Sequence, residues 1–131
     1  MKKLFILFIL FFTVLSAGEL TWEKDLSTAF KLAKKEHKIV MVMVESKHCR
    51  WCKKMKHRTL SDDVVSKRLE KYVLVKVLQE DTDTSKYLPP IKGAPTIFFL
   101  TEDKKEIMTA LGYYDVSDFT SYLNDMDKRV K

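Results

Sequence analysis

The fold is decided by the stretch Ile39-Val-Met-Val-Met-Val44, which is followed, after four intervening residues, by Cys49-Arg50-Trp51-Cys52. Six apolar residues are too few for a typical helix, and their Val-rich composition favours a fully buried strand. The two cysteines, the only ones in the chain, follow this strand at the predicted start of a helix. Because residues three apart share one face of a helix, their sulfurs can meet within disulfide geometry.

The position of Cys49 favours the thiolate form of its side chain. A helix N-terminus offers unpaired N–H groups and a partial positive charge, and Lys47, His48 and Arg50 add cationic surroundings. Such surroundings lower the pKa of a thiol, so we expect His48 and Arg50 to tune Cys49. A Cys49 thiolate would attack a disulfide, and Cys52 would then close on the mixed disulfide and release the product.

A cysteine pair has other uses. A purely structural disulfide with a two-residue spacer closes a very small loop, so it restricts the unfolded chain little. A zinc site needs further ligands, and His48 and His57 have no second cysteine pair nearby. A c-type haem needs His directly after the second cysteine, where this chain has Lys53. No metal ligand is therefore predicted, and a redox role is favoured over a structural one.

The chain resembles the thioredoxin family in two motifs, the cysteine pair after a buried strand and Gly93-Ala94-Pro95-Thr96 before a later strand. In that fold the proline of the second motif is cis and lies against the cysteine pair, a role that the resemblance assigns to Pro95. It implies that the backbone around Ala94 and Pro95 binds an extended substrate segment. The other interpretation of Pro95 is an ordinary trans proline at a strand start.

The resemblance extends to the exported thioredoxin-like group that includes the C-terminal domain of the thiol reductase DsbD. It rests on residues 52–55 and 59–65 and covers about residues 21–126. It implies a thiol–disulfide oxidoreductase that reduces disulfides in proteins, with Cys49 as nucleophile and Cys52 as resolving thiol. No cofactor is expected, and a membrane electron donor of the DsbD type is the expected redox partner.

The chain departs from the thioredoxin pattern at the site itself. His48 replaces the usual Trp, and Met43 stands where thioredoxin has a buried acid that assists proton transfer. Glu45, the nearest acid on that strand, is either a base or a solvated strand-end residue. Because the Arg50-Trp51 spacer replaces Gly-Pro, a disulfide oxidase or isomerase is the alternative to a reductase. A non-catalytic dithiol module resembling a copper chaperone is the third possibility.

Neighbouring residues carry further expectations. Trp51 should be partly exposed between the cysteines, where it would dock a substrate segment. Met41, Met43 and Met55 could suit Cu(I), but core packing is favoured because Met is a common core filler. The basic run at residues 53–58 should be the solvated face of the active-site helix.

The remaining elements complete an α/β fold. Periodicity predicts helices at residues 25–37, about 61–70 and 116–126, and strands at 72–78, 95–100 and 106–111. Residues 80–93 should be mostly loop. The result is a central mixed β-sheet of about four strands flanked by helices, which the resemblance identifies as a thioredoxin-like fold.

The N-terminus has the pattern of an export signal. A cationic start (residues 1–3) precedes an apolar run (4–15) and small residues (16–18). The run is shorter than the roughly 20 residues that span a bilayer, so residues 1–17 are predicted to be a signal peptide cleaved near Ala17. An uncleaved anchor is the alternative. Residues 18–131 would then be one thioredoxin-like domain in the periplasm.

Composition supports a single globular domain. The chain has 131 residues, with three Gly, three Pro and two Cys, which excludes collagen-like and disulfide-dense scaffolds. Its formal charge of +6 includes Lys2 and Lys3, so the mature domain is only modestly basic. We therefore expect no nucleic-acid partner, and a monomer that acts on protein disulfides.

Overall fold

The computed structural model describes residues 19–131, so the signal peptide predicted at residues 1–17 lies outside the described residues. The elements follow in this order: β1 (Trp22–Glu23), α1 (Leu26–Glu36), β2 (Val40–Glu45), α2 (Arg50–Lys54), a π-helix (Met55–Leu60), α3 (Asp63–Leu69), β3 (Val73–Leu78), α4 (Thr82–Ser85), β4 (Thr96–Leu100), β5 (Glu106–Leu111) and α5 (Val116–Arg129).

Within residues 19–131 the strands form one five-stranded sheet in the order β1-β3-β2-β4-β5. β3 pairs in parallel with β1 and β2, whereas β4 pairs antiparallel with β2 and β5. Val44 of β2 lies opposite Thr96 of β4, so β2 ends and β4 begins at the same end of the sheet. The predicted mixed sheet is confirmed. The additional strand, β1, is too short to leave a periodic signal in the sequence.

Both faces of β2 are covered by helices. Met41 and Met43 belong to a core that includes side chains of α2, α3 and α5, while Val40, Val42 and Val44 belong to a second core with α1. All five side chains are fully buried. The prediction of a strand buried on both faces is confirmed, and this rigid strand positions the residues that follow it.

The helices match the predicted periodicity, with three differences. α1 is capped by Asp25, whose side chain accepts a hydrogen bond from Thr28 N at 2.7 Å. The active-site helix, which begins at Arg50, continues from Met55 to Leu60 as a π-helix. The predicted loop at residues 80–93 contains the short α4, and α5 continues to Arg129. No helix in the described part of the chain is long and apolar enough to cross a membrane.

Candidate active site

The cysteine pair lies just beyond the end of β2. Cys49 is the N-cap of α2, and its sulfur accepts a hydrogen bond from Cys52 N at 3.1 Å. The two residues form a disulfide with Cα atoms 5.2 Å apart. The predicted placement of both cysteines at the start of a helix is therefore correct.

The two cysteines differ in their surroundings. Cys52 is 2% exposed and lies in the core beside Met55. Cys49 is half-buried and packs at the edge of the same core. A molecule that approaches from solvent therefore meets the sulfur of Cys49 first.

The Gly93–Thr96 segment lies at the same end of the sheet as the cysteines, since Thr96 pairs with Val44. The Ala94–Pro95 peptide bond is cis, and Pro95 is buried. The carbonyl of Pro95 accepts a hydrogen bond from Gly112 N at 2.8 Å. This bond ties the start of β4 to the loop that follows β5.

Trp51 is 47% exposed, so its predicted partial exposure is confirmed. Its ring centroid lies 5.5 Å from that of Tyr113. The ammonium of Lys54 lies 4.8 Å from the Trp51 centroid and 4.7 Å from the Tyr113 centroid, while the guanidinium carbon of Arg50 lies 5.9 Å from the Trp51 centroid. We call these four residues, Arg50, Trp51, Lys54 and Tyr113, the Trp51 platform.

The loop before Cys49 is held from outside the helix. Lys47 N donates a hydrogen bond to Glu80 Oε1 at 3.0 Å. His48 is exposed and has a left-handed backbone, with φ of 59°. His48 and Arg50 thus flank Cys49 on either side along the chain, and both are exposed.

Glu45 is neither a solvated acid nor an isolated buried base. Its carboxylate forms a salt bridge with Lys56 at 2.5 Å, and the two side chains are only 15% and 29% exposed. Met43 is fully buried at the position where thioredoxin has its acid. Of the two interpretations of Glu45, simple solvation is therefore wrong.

The methionines near the cysteines lie in the core. Met41, Met43 and Met55 are all fully buried, so the predicted core packing is confirmed. Among residues 19–131, no group of three or more His, Cys, Asp or Glu side chains is placed to hold a metal ion. The three methionines thus belong to the apolar core against which Cys49 packs.

Sequence reasoning missed Lys54 and Tyr113. Lys54 falls in a basic run that is typical of a solvated helix face, and Tyr113 lies far from Trp51 along the chain. Lys54 lies three residues after Trp51 on α2, whereas the contacts of Tyr113 with both side chains depend on the packing of the loop after β5 against α2. A local sequence pattern carries no signal for such a contact.

At this site a half-buried cysteine at a helix N-terminus is disulfide-bonded to a buried one, and the pair lies at the end of a five-stranded mixed sheet. This combination defines a thiol–disulfide oxidoreductase. The chain belongs to the thioredoxin-like family, since the model of the thioredoxin-like domain matches residues 26–127. The fold and family expected from the sequence are confirmed.

Solved structures agree with this assignment. A thioredoxin from Thermus thermophilus is 28% identical, with a TM-score of 0.67 over 82% of this chain and 86% of that chain. The reduced C-terminal domain of DsbD from Neisseria meningitidis is 25% identical, with a TM-score of 0.60 over 76% and 92%. The DsbH oxidoreductase, 19% identical, shares the fold with a TM-score of 0.65 over 86% and 85%. No curated protein sequence matches the chain.

Proposed function

We propose that this chain is an exported, periplasmic oxidoreductase that reduces disulfide bonds in proteins. The observation that carries the proposal is the unequal exposure of the cysteine pair, with Cys49 half-buried at the helix N-terminus and Cys52 2% exposed. This arrangement gives the two sulfurs different tasks. The sulfur of Cys49 reacts with the substrate, and the sulfur of Cys52 is shielded from solvent until it attacks the mixed disulfide.

The exchange begins with the reduced protein. The Cys49 thiolate attacks one sulfur of the substrate disulfide, a bond forms between these two sulfurs, and the substrate S–S bond breaks. The leaving substrate sulfur takes up a proton. Cys52 then loses its proton and attacks the Cys49 sulfur, which releases the second substrate thiolate. Two electrons pass to the substrate, and the Cys49–Cys52 disulfide remains.

Neighbouring groups support the thiolate. The reduced Cys49 sulfur would keep the hydrogen bond from Cys52 N, now seen at 3.1 Å. His48 and Arg50 flank it, and the positive end of α2 favours negative charge at its first residues. We therefore assign these groups the task of lowering the pKa of the Cys49 thiol.

Substrate binding is assigned to two surfaces beside the pair. The backbone of Ala94, directly before the cis Pro95, would hold an extended segment by main-chain hydrogen bonds. Trp51, which is 47% exposed, would pack against a side chain of that segment. Exposed aromatic side chains commonly anchor such contacts.

The reductive direction is supported by similarity to the C-terminal domain of DsbD, at 25% identity, and to a thioredoxin, at 28%. A reductase of this kind must recover two electrons after each cycle. We assign this step to a dithiol donor in the membrane, of the DsbD type, and the apolar start of the chain at residues 4–15 to export.

Insulin reduction by the purified protein tests the activity. Wild type should precipitate insulin in the presence of dithiothreitol faster than dithiothreitol alone, whereas Cys49→Ser should not. Cys52→Ser should accumulate a mixed disulfide through Cys49, because the resolving thiol is missing. A Cys49→Ser variant that reduces insulin as well as wild type would contradict the proposal, and tight Cu(I) binding without reduction would favour the dithiol binding module.

The equilibrium reduction potential of the pair tests the direction. A value near that of thioredoxin, about −270 mV, would support a reductant. A value near that of DsbA, about −120 mV, would instead identify an oxidant. Equilibration with glutathione or dithiothreitol buffers, followed by alkylation and mass spectrometry, gives this potential.

A further inference from the structure

The positive charge of the described chain is concentrated around the cysteine pair. Residues 47–58 contain six Lys or Arg and no Asp or Glu. Residues 19–131 carry 22 Lys and Arg against 18 Asp and Glu, so the rest of this range has 16 basic and 18 acidic residues. The site is therefore positive, whereas the remainder of the described chain is slightly negative.

Most of the basic side chains at residues 47–58 are not paired with an acidic side chain of the described residues, so they can interact with a partner. Within the described residues, Lys56 forms a salt bridge, to Glu45, and none of the other five basic side chains between 47 and 58 does. Arg50 is exposed on the first turn of α2. The excess charge is thus presented to solvent beside the sulfur that meets the substrate.

The Trp51 platform fixes two of these charges next to an apolar surface. Lys54 lies over two rings, with its ammonium within 5 Å of both centroids. Attraction to the ring faces holds the ammonium in place without neutralising it. Trp51 remains 47% exposed. A ligand that suits this surface has a carboxylate beside an apolar or aromatic group.

We infer that the Trp51 platform selects partner proteins whose reactive disulfide or dithiol is flanked by acidic residues. This inference rests on the proposed function, because it names the class of substrate that the Cys49 site prefers. Complementary charge speeds encounter, and like charge suppresses it. A partner segment rich in Lys or Arg would be repelled from the same surface.

Three disulfide-linked peptides of equal length test the inference. They carry Glu, Gln or Lys on both sides of the disulfide. The rate of reduction by the reduced protein is measured by stopped-flow fluorescence, and each rate is divided by the rate with dithiothreitol to remove intrinsic reactivity. We expect the Glu peptide to react about tenfold faster than the Lys peptide at low salt, a difference of about 1.4 kcal/mol that two surface charge pairs can supply together.

Salt and variants identify the source of the preference. The ratio of the Glu-peptide rate to the Lys-peptide rate should fall below about twofold in 1 M salt, where the screening length is about 3 Å. At low salt the double variant Arg50→Gln/Lys54→Gln should lose the preference for the Glu peptide, and Lys54→Arg should keep this preference. Lys34→Gln/Lys105→Gln is the matched control, because it removes two exposed charges from the far end of the sheet.

Several results would overturn the inference. Equal relative rates for the Glu and Lys peptides would do so, as would a preference that the Arg50→Gln/Lys54→Gln variant keeps. A dimer in light scattering that protects Trp51 from quenching by iodide would show that a second copy covers the platform. Competition by a single-stranded oligonucleotide without a peptide preference would indicate a nucleic-acid site. If no peptide is reduced at all, the proposed function itself is wrong.

Discussion

At the level of single residues, the chemistry depends on two cysteines of the same helix having unlike surroundings. Cys49 is the N-cap of α2, and its sulfur accepts a hydrogen bond from Cys52 N. Cys52, in contrast, is buried in the core. In the proposed reduced state we expect the first position to favour a thiolate and the second to keep a thiol away from solvent. The division of labour is thus a consequence of where the helix begins.

Alkylation of the reduced protein should reveal this difference. We expect iodoacetamide to modify Cys49 at least about tenfold faster than Cys52, because access and thiolate character both favour the outer sulfur. The rate at Cys49 should reach half of its maximum below pH 8.5, the ordinary thiol pKa. Peptide mass spectrometry across pH 5–9 measures both rates. A half-maximum at about 8.5, or equal rates at the two positions, would contradict the assignment.

Several residues of the site could be predicted from the sequence, and others could not. The spacing of Cys49 and Cys52 after an apolar run places them together because strand and helix geometry are local. The cis peptide bond before Pro95 was predicted from family resemblance alone. Lys54 escaped detection because its basic run is typical of a solvated helix face. Tyr113 escaped because its contacts with Trp51 and Lys54 join segments that are distant in the chain. The salt bridge of Glu45 escaped for the same reason.

At the level of elements, the π-helix connects the active-site helix to the loop that carries Tyr113. Thr59 is fully buried in this π-helix, and its hydroxyl donates a hydrogen bond to the carbonyl of Tyr114 at 2.6 Å. π-helical turns frequently occur at functional sites. Here the hydrogen bond of Thr59 holds Tyr114, the residue after Tyr113, in the loop before α5.

Replacing Thr59 by Val should destabilise the protein by about 1–2 kcal/mol, because the shape is kept while the partly buried carbonyl of Tyr114 loses its partner. Urea denaturation followed by circular dichroism measures this change. Thr82→Val is the control, since Thr82 is exposed, and should shift the free energy of unfolding by less than about 0.5 kcal/mol. Equal effects of the two substitutions would show that the bond to Tyr114 contributes nothing.

The elements that sequence predicted well are those with strong periodicity and clear caps. α1 begins after Asp25, and α5 begins after Asp115, whose side chain accepts from Asp118 N. The elements that it missed, β1 and α4, have two and four residues. Segments of that length gain their structure from neighbouring elements, not from a pattern of their own.

At the level of the whole molecule, stability resides in the two cores and not in the disulfide. The cores cover both faces of the sheet and include the largest buried side chains, such as Phe98, Phe99 and Phe119. The disulfide lies at one end of the sheet and closes a loop of four residues. The fold can therefore persist in both redox states, as a reversible exchange requires.

Reduction should leave the protein folded. A disulfide that closes a loop of four residues contributes at most about 2 kcal/mol to the free energy of unfolding, whereas the total for a domain is about 5–15 kcal/mol. The double variant Cys49→Ser/Cys52→Ser should therefore lose no more than about 2 kcal/mol in urea denaturation. Loss of the native circular dichroism spectrum on reduction at 25 °C would mean that the disulfide is structural, and the reductase proposal would fail.

A charged cluster joins the C-terminal end of α3 and the residues that follow it to α5. Arg68 donates hydrogen bonds to Asn124 Oδ1 at 2.8 Å and to Asp127 Oδ2 at 3.0 Å, and Lys71 donates to the other Asp127 oxygen. The hydrogen bond from Lys71, aided by the charges of Lys71 and Arg68, holds the pKa of Asp127 below its ordinary value. The same contact raises the pKa of Lys71.

This cluster predicts a pH-dependent contribution to stability. Because the folded pKa of Asp127 is lowered, its contribution is complete above the ordinary Asp value of about 3.9 and is lost as the pH falls below it. Since the pKa of Lys71 is raised, its contribution is lost only as the pH rises through and above about 10.4. Asp127→Asn should therefore cost about 1 kcal/mol at pH 7, and almost nothing near pH 2.

Asp125→Asn is the matched control, because Asp125 pairs with Lys128 on the exposed surface of the same helix. Its effect should be smaller than about 0.5 kcal/mol at any pH. Urea denaturation at pH 2, 4, 7 and 9 gives both differences. If Asp127→Asn instead costs as much at pH 2 as at pH 7, the loss comes from packing and not from the carboxylate. The connection between α3 and α5 would then not depend on ion pairing.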